Sequence, residues 1–198
     1  MHLPELATAT AMLTIVSTNA PISPWISRKI LHMGVGTLLL NADLSDSQVV
    51  SGIYTTSAAV CGLVTVDGMK LVSDQRKTDG FVKDLGIFSY AISCFFCLAL
   101  SVPYSEMAPL FYADPSGAII GRTIKSAQIY NNKTLAGSTA VFGTTFITLP
   151  YSYQLHERIV ISTFITVIEL LGGDIDNLLI SLFLMSKYCM FTNCLFTF

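Results

Sequence analysis

With 52% hydrophobic and only 12% charged side chains among 198 residues, the chain carries about half the charge of an ordinary soluble domain, in which about 25% of residues are charged. Its 11 Lys and Arg against 13 Asp and Glu leave a net charge of −2 and no basic tract, which excludes a nucleic-acid partner. Of the 5 cysteines, Cys94 and Cys97 have CxxC spacing, but no second Cys/His pair completes a zinc site, so they read as small packing residues.

A membrane-spanning helix needs about 20 mainly apolar residues. In chain order, eight apolar segments approach that length: 3–20, 30–40, 49–66, 85–102, 107–120, 135–149, 159–171 and 178–198. Segments 49–66 and 85–102 meet the requirement cleanly, 178–198 contains Lys187, and the others are short or interrupted. The expected architecture is therefore all-α: a polytopic integral membrane helical bundle of about seven or eight transmembrane segments, some short or broken, in one domain spanning 1–198. The basic residues sort by connection. Arg28 and Lys29 precede the second segment; Lys70, Arg76, Lys77 and Lys83 lie between the third and fourth; Arg122, Lys125 and Lys133 lie between the fifth and sixth. By the enrichment of Lys and Arg in cytoplasmic loops, these connections face the cytosol and both ends lie outside. The N-terminus shows neither a basic n-region nor an Arg-rich leader, so no cleavable targeting segment is expected. The sequon Asn132-Lys133-Thr134 falls on the cytosolic side and is expected to be unmodified.

The residues able to do chemistry cluster toward that one face. Arg28 and His32 are four apart and share a helix face. Arg28 and Lys29 suit the headgroup level, while an ionisable His32 deeper in an apolar segment is a functional candidate. Asp114, followed by Pro115, reads as the N-cap of a helix beginning at that proline. Ser116, Gly117 and Ala118 then allow close backbone approach, and a helix start of this kind favours phosphate while the carboxylate holds a divalent cation. Arg122 ends the segment, about 12 Å from Asp114 if the intervening chain is helical. Lys133, Thr134, Gly137 and Ser138 open the next helix, with Lys133 as a point charge for phosphate and Thr134 and first-turn amides as donors. Finally Glu169 is followed by Gly172-Gly173-Asp174 and by Asp176-Asn177. Oxygen donors of this type suit magnesium, usually held by one or two carboxylates together with substrate phosphates.

These stretches together resemble the CTP-dependent polyprenol kinase family, which includes phytol, dolichol and yeast-type diacylglycerol kinases. Arg28-Lys29-Ile30-Leu31-His32 is similar to the family's Arg-Lys…His segment, and Asp114-Pro115 through Gly121-Arg122 to its Gly-Asp-(Gly/Pro)…Gly-Arg motif. Lys133-Thr134-Leu135-Ala136-Gly137-Ser138 matches its Lys-(Ser/Thr)…Gly-Ser segment, and Glu169 with Asp176-Asn177-Leu178 its final element. The sequence departs from the pattern at Ala113 in place of Gly, at Ala118 where many phytol kinases have a second Asp, and after Leu178. The resemblance implies transfer of the CTP γ-phosphate to a membrane lipid alcohol such as phytol, farnesol, dolichol or diacylglycerol. The reaction would occur at the cytosolic or stromal face of an endoplasmic-reticulum or plastid membrane. Arg28, Lys29, His32, Arg122, Lys133, Thr134, Gly137 and Ser138 would then meet the nucleotide, and Asp114, Asp176 and Asn177 would bind Mg2+. Asp114, Glu169 and Asp174 would serve catalysis. The alternatives are a CDP-lipid synthase of the phosphatidate cytidylyltransferase type, an inactive relative of the kinases, and a transporter whose broken helices carry carboxylates.

Overall fold

The computed structural model describes residues 1–19, 23–65 and 85–192, which divide into two units, Met1–Ser101 and Val102–Phe198. In the first unit lie α1 (Leu3–Asn19), α2 (Pro24–Leu40), α3 (Ser47–Thr65) and α4 (Leu85–Ala99). Ser23 caps α2 by accepting from the Ile26 amide at 3.4 Å, with Pro24 at the first helical position, where its missing N–H costs nothing. The helix therefore starts six residues before the expected apolar segment, and Arg28 and Lys29 lie within it. Helix α1 packs on α2 and α3, and α3 on α4, around Leu6, Leu39, Val49, Ile53, Ala91, Cys94 and Cys97. Burial pushes the Cys94 thiol up to about 12, as befits a packing residue and not a reactive one.

The second unit positions the chemistry. A 3-10 turn, Tyr104–Met107, leads into α5 (Ala108–Thr123); a hairpin of β1 (Gln128–Tyr130) and β2 (Lys133–Thr134) follows, then α6 (Leu135–Thr148), α7 (Leu155–Gly172), a 3-10 turn (Gly173–Ile175) and α8 (Asp176–Thr192). Helix α5 packs on α6, α6 on α7, α7 on α8, and α8 returns to α5 and the first 3-10 turn. The four helices enclose a core that includes Leu110, Phe111, Val141, Ile165, Ile180 and Leu184. Gln154 and Glu157 form a capping box that starts α7. One turn on, the Arg158 guanidinium donates to the Phe146 carbonyl and closes the C-terminus of α6.

Three expectations need correction. The chain does not form the expected polytopic membrane bundle: among the described residues, no helix is long and apolar enough to cross a membrane. The helices run from 14 to 19 residues, or about 21–28 Å at 1.5 Å per residue, against a hydrocarbon thickness of about 30 Å. The two longest also carry polar and charged side chains. Helix α3 carries Ser47, Gln48, Ser51, Thr55 and Thr56, and α7 carries Glu157, Arg158 and Glu169. The apolar content instead fills helix–helix contacts inside each unit and the outward faces of helices such as α7. Second, Asp114 is not an N-cap. Helix α5 runs unbroken through Pro115, whose fixed φ suits a helix even though it lacks the N–H of the ladder. The phosphate-binding helix start expected at 115–118 therefore does not exist. Third, the sequence reading gave no hairpin between α5 and α6. The basic connection that contains Lys70, Arg76, Lys77 and Lys83 lies outside the described residues, as does the tail 193–198.

Candidate functional site

Asp114 sits midway along α5, Glu169 on the last turn but one of α7, and Asp176 at the first position of α8. The link between the last two is the Gly172-Gly173 pair. Gly173 adopts φ +59° and ψ −122°, a combination closed to residues with a Cβ, and it lets the chain reverse from α7 into α8 within one 3-10 turn. Glu169 and Asp176 are thereby brought back to the same end of the unit. One carboxylate oxygen from each of Asp114, Glu169 and Asp176 lies within 4.8 Å of the others, with the three residues only 6%, 4% and 8% exposed.

A cation that meets these acids is Lys133, delivered by β2. The hairpin turns through Asn131 and Asn132, with φ +38° and +64°, the paired left-handed conformation that two-residue hairpin loops require and that Asn tolerates. The Lys133 ammonium donates to Glu169 Oε1 and stands 3.6 Å from Asp176 Oδ2. Burial alone pulls this ammonium down. The hydrogen bond to Glu169 and the charges of Glu169, Asp176 and Asp114 outweigh burial and lift it above its usual value. Lys133 offsets part of the negative charge that the three carboxylates bring to this largely buried site, and a divalent cation would offset more. The Asn177 side-chain oxygen is also buried and accepts no hydrogen bond among the described residues, while the Asn177 backbone N–H donates to Asp176 Oδ1 at 2.7 Å. An all-oxygen set of three carboxylates beside an amide oxygen fits a hard divalent cation such as Mg2+.

Thr134 and Gly137 fix the start of α6 beside the site. Thr134 caps that helix by accepting from the Gly137 amide at 3.2 Å; the Ala136 amide donates to Ser126 Oγ at 2.9 Å and the Leu135 amide to the Ala127 carbonyl at 2.8 Å. The first-turn amides expected to bind phosphate are thus engaged within the protein, and only the helix dipole remains directed outward. Gly137 lets α6 approach α5: a Cβ there would stand 2.9 Å from the Gly117 carbonyl oxygen and 3.3 Å from the Gly121 Cα. Gly137→Ala is expected to cost about 1–3 kcal/mol by forcing α5 from α6, which chemical denaturation would read directly. Ser138 is buried and its hydroxyl finds no partner among the described residues, as is the case for Thr145 and Ser162 further along the interior of the unit. A buried hydroxyl without a partner costs about 1–3 kcal/mol, so Thr145→Val is expected to raise the melting temperature; a fall would show that the hydroxyl is satisfied.

Arg122 is exposed on the last turn of α5. Arg28, Lys29 and His32 lie on α2 of the first unit. The His32 ring meets Tyr90 edge-on at 4.3 Å, and the Tyr90 hydroxyl donates to the His32 carbonyl at 3.2 Å, so this histidine has a packing role within its own unit. Asp174 belongs to the 3-10 turn before α8, with its side chain outside the described set. Sequence reasoning missed a second buried polar group at the other end of α8. There the Tyr153 hydroxyl donates to Glu106 Oε2 at 2.6 Å, and Lys187 lies 3.7 Å from the same oxygen and 3.5 Å from the centre of the Tyr153 ring. Burial pulls the Lys187 ammonium down and pushes the Tyr153 phenol up, so this end is tied by a buried hydrogen bond and a cation held over an aromatic face. A lysine inside the apolar run 178–198 was the visible signal, but nothing in the spacing named Glu106 as its partner.

No protein-family model, no curated protein and no solved structure matches this chain.

Proposed function

We propose that this protein is a nucleotide-dependent phosphotransferase whose acceptor is the hydroxyl of a lipid alcohol, with CTP as the donor that the motif resemblance implies. The observation that carries this reading is the buried set of Asp114, Glu169 and Asp176 with Lys133 among them. Phosphoryl transfer asks little covalent chemistry of a protein; it needs the phosphates positioned and their charge neutralised. Asp114, Glu169 and Asp176, with Asn177 beside them, would hold Mg2+, which when bound would neutralise charge on the donor's phosphates. Lys133 remains an ammonium across the neutral range and supplies a fixed positive charge at the same place. Glu169, hydrogen-bonded by that ammonium, would accept the hydrogen bond of the acceptor hydroxyl and orient it. The Gly117–Gly137 approach keeps α5 and α6 close enough for Asp114 and Lys133 to act on one ligand. Arg122, exposed on the last turn of α5, would meet the outer phosphates. Thr134 and Gly137 act by fixing the start of α6.

The test is purified protein with Mg2+, γ-labelled or α-labelled CTP, and a panel of phytol, farnesol, dolichol and diacylglycerol. Label from the γ position in the lipid is the expected result. Label from the α position would make the protein a CDP-lipid synthase instead, and no labelled lipid from any alcohol would overturn the reading.

A further inference from the structure

A kinase of lipid alcohols without a spanning helix among its described residues needs another way to meet its acceptor, and the hairpin beside the acid cluster offers one. Every residue from 122 to 132 is exposed. Within and beside that run stand Ile124, Ile129, Tyr130 and Leu135, large apolar side chains 51%, 48%, 46% and 53% exposed. Arg122 and Lys125 are exposed with them, and the sequence holds no Asp or Glu between Asp114 and Glu157. Lys133, the third cation of the run, faces inward to Glu169 and Asp176. The projection is held in shape by the β1–β2 pairing, by the Gln128 amide donating to Asn132 Oδ1 at 3.0 Å, and by the Ala127 and Ser126 bonds to the start of α6. Its apolar residues are therefore presented by ordered backbone.

We infer that the segment 122–135 docks the second unit on an anionic lipid surface. Exposed aliphatic residues enter the boundary between headgroups and acyl chains, a tyrosine suits that level, and cations nearby are drawn to negative headgroups, while the polar Asn131-Asn132 turn stays within the headgroup layer. Nucleic acid is the weaker fit. Two outward cations neutralise few phosphates, and aliphatic side chains give bases no flat face on which to stack. Because β2 carries both the edge of this surface and Lys133, docking brings the acid cluster to the level of a lipid's hydroxyl. The inference deepens the proposed function by giving its acceptor a route, yet the docking itself can be measured without the catalytic reading.

The experiment is co-sedimentation of the full chain with vesicles of phosphatidylcholine alone or containing phosphatidylserine, at low and high salt. Stronger binding to the phosphatidylserine vesicles, weakened by salt, is expected. Lys125→Gln should weaken that binding roughly fivefold, the effect of one surface charge near an anionic membrane. Ile129→Ser with Tyr130→Ser should weaken binding to both vesicle types. These positions are exposed, so the fold is expected to survive, and unchanged melting temperatures would establish it. Equal binding by wild type and variants, or no binding by wild type, overturns the inference. So does a preference for single-stranded RNA that the same substitutions abolish. Phosphorylation of a water-soluble short-chain alcohol by a protein that ignores vesicles would overturn docking while leaving the phosphotransferase reading intact.

Discussion

Lys133→Met is expected to lower stability by about 3 kcal/mol, or roughly 6–12 °C in melting temperature for a chain of this size, in metal-free buffer near neutral pH. The substitution keeps most of the apolar stem and removes the ammonium that meets Glu169 and Asp176, leaving three carboxylates within 4.8 Å of one another in a buried site. Breaking a buried pair from one side costs about 3–5 kcal/mol, and the lower end applies because the Lys133 side chain is 28% exposed. The pH dependence has a definite sign. The folded-state value of Lys133 lies above the usual 10.5, so its contribution is fully present below that pH and is lost as pH rises through the folded value. The stability gap between wild type and Lys133→Met should thus stay level from neutrality to about pH 10 and close only in stronger alkali. Mg2+ should narrow the gap at neutral pH, because a cluster without its ammonium would bind the cation more tightly than wild type, and each tenfold difference in Kd is worth about 1.4 kcal/mol at saturating Mg2+. A variant as stable as wild type without metal would show that the cluster does not depend on its lysine.

Much of the chain's segmentation was legible because it rests on local pattern. Each of the eight apolar segments overlaps one helix of the described residues, though α2 begins six residues and α7 four residues earlier, since apolar runs mark helices whether the neighbouring surface is lipid or protein. That same ambiguity produced the membrane bundle: composition reports how much apolar surface exists, not which neighbour covers it. Helix length tells against a spanning helix among the described residues, and the caps at Ser23, Thr134 and Gln154 are single polar residues that a hydropathy window averages away. Proline misled at Asp114-Pro115, where it was read as a helix start; in the structure, packing of α5 against α6 and α8 carries the helix through it. Within the site, Asp114, Lys133, Glu169 and Asp176 could be picked out because charge in apolar sequence requires a partner. Their convergence was not legible, for it depends on Gly173 turning α7 into α8 and on the Asn131-Asn132 turn aiming Lys133 inward. Two adjacent asparagines between Tyr130 and Lys133 are the hairpin's signal in the sequence, since Asn tolerates the positive φ that both adopt. The second buried group, Glu106 with Tyr153 and Lys187, joins residues 47 and 34 positions apart, a separation that helical periodicity does not predict.

Asp114→Asn should have the opposite effect on stability from Lys133→Met while sharing its effect on function. Each pair of carboxylates within 4.8 Å repels by about 3–4 kcal/mol at an effective dielectric constant of about 20, offset in part by Lys133 and by local hydrogen bonds. Replacing one carboxylate by a neutral amide of the same shape removes one negative charge from the cluster. The metal-free variant is accordingly expected to melt above wild type. The divalent cation would lose a charged ligand, so the rise in melting temperature produced by Mg2+ should largely vanish. Transfer from CTP should fall by more than the 10–100-fold that changes around a metal's ligands typically cost. Thermal melts with and without Mg2+, alongside the labelling assay, separate the possibilities. A variant that melts lower and still responds to Mg2+ would mean that Asp114 supports the fold and that the cation is held elsewhere. Full activity would remove Asp114 from the site altogether. If instead loss of a positive charge destabilises the protein and loss of a negative one stabilises it, with both abolishing transfer, the four residues form a cluster whose surplus of negative charge serves a ligand and not the fold.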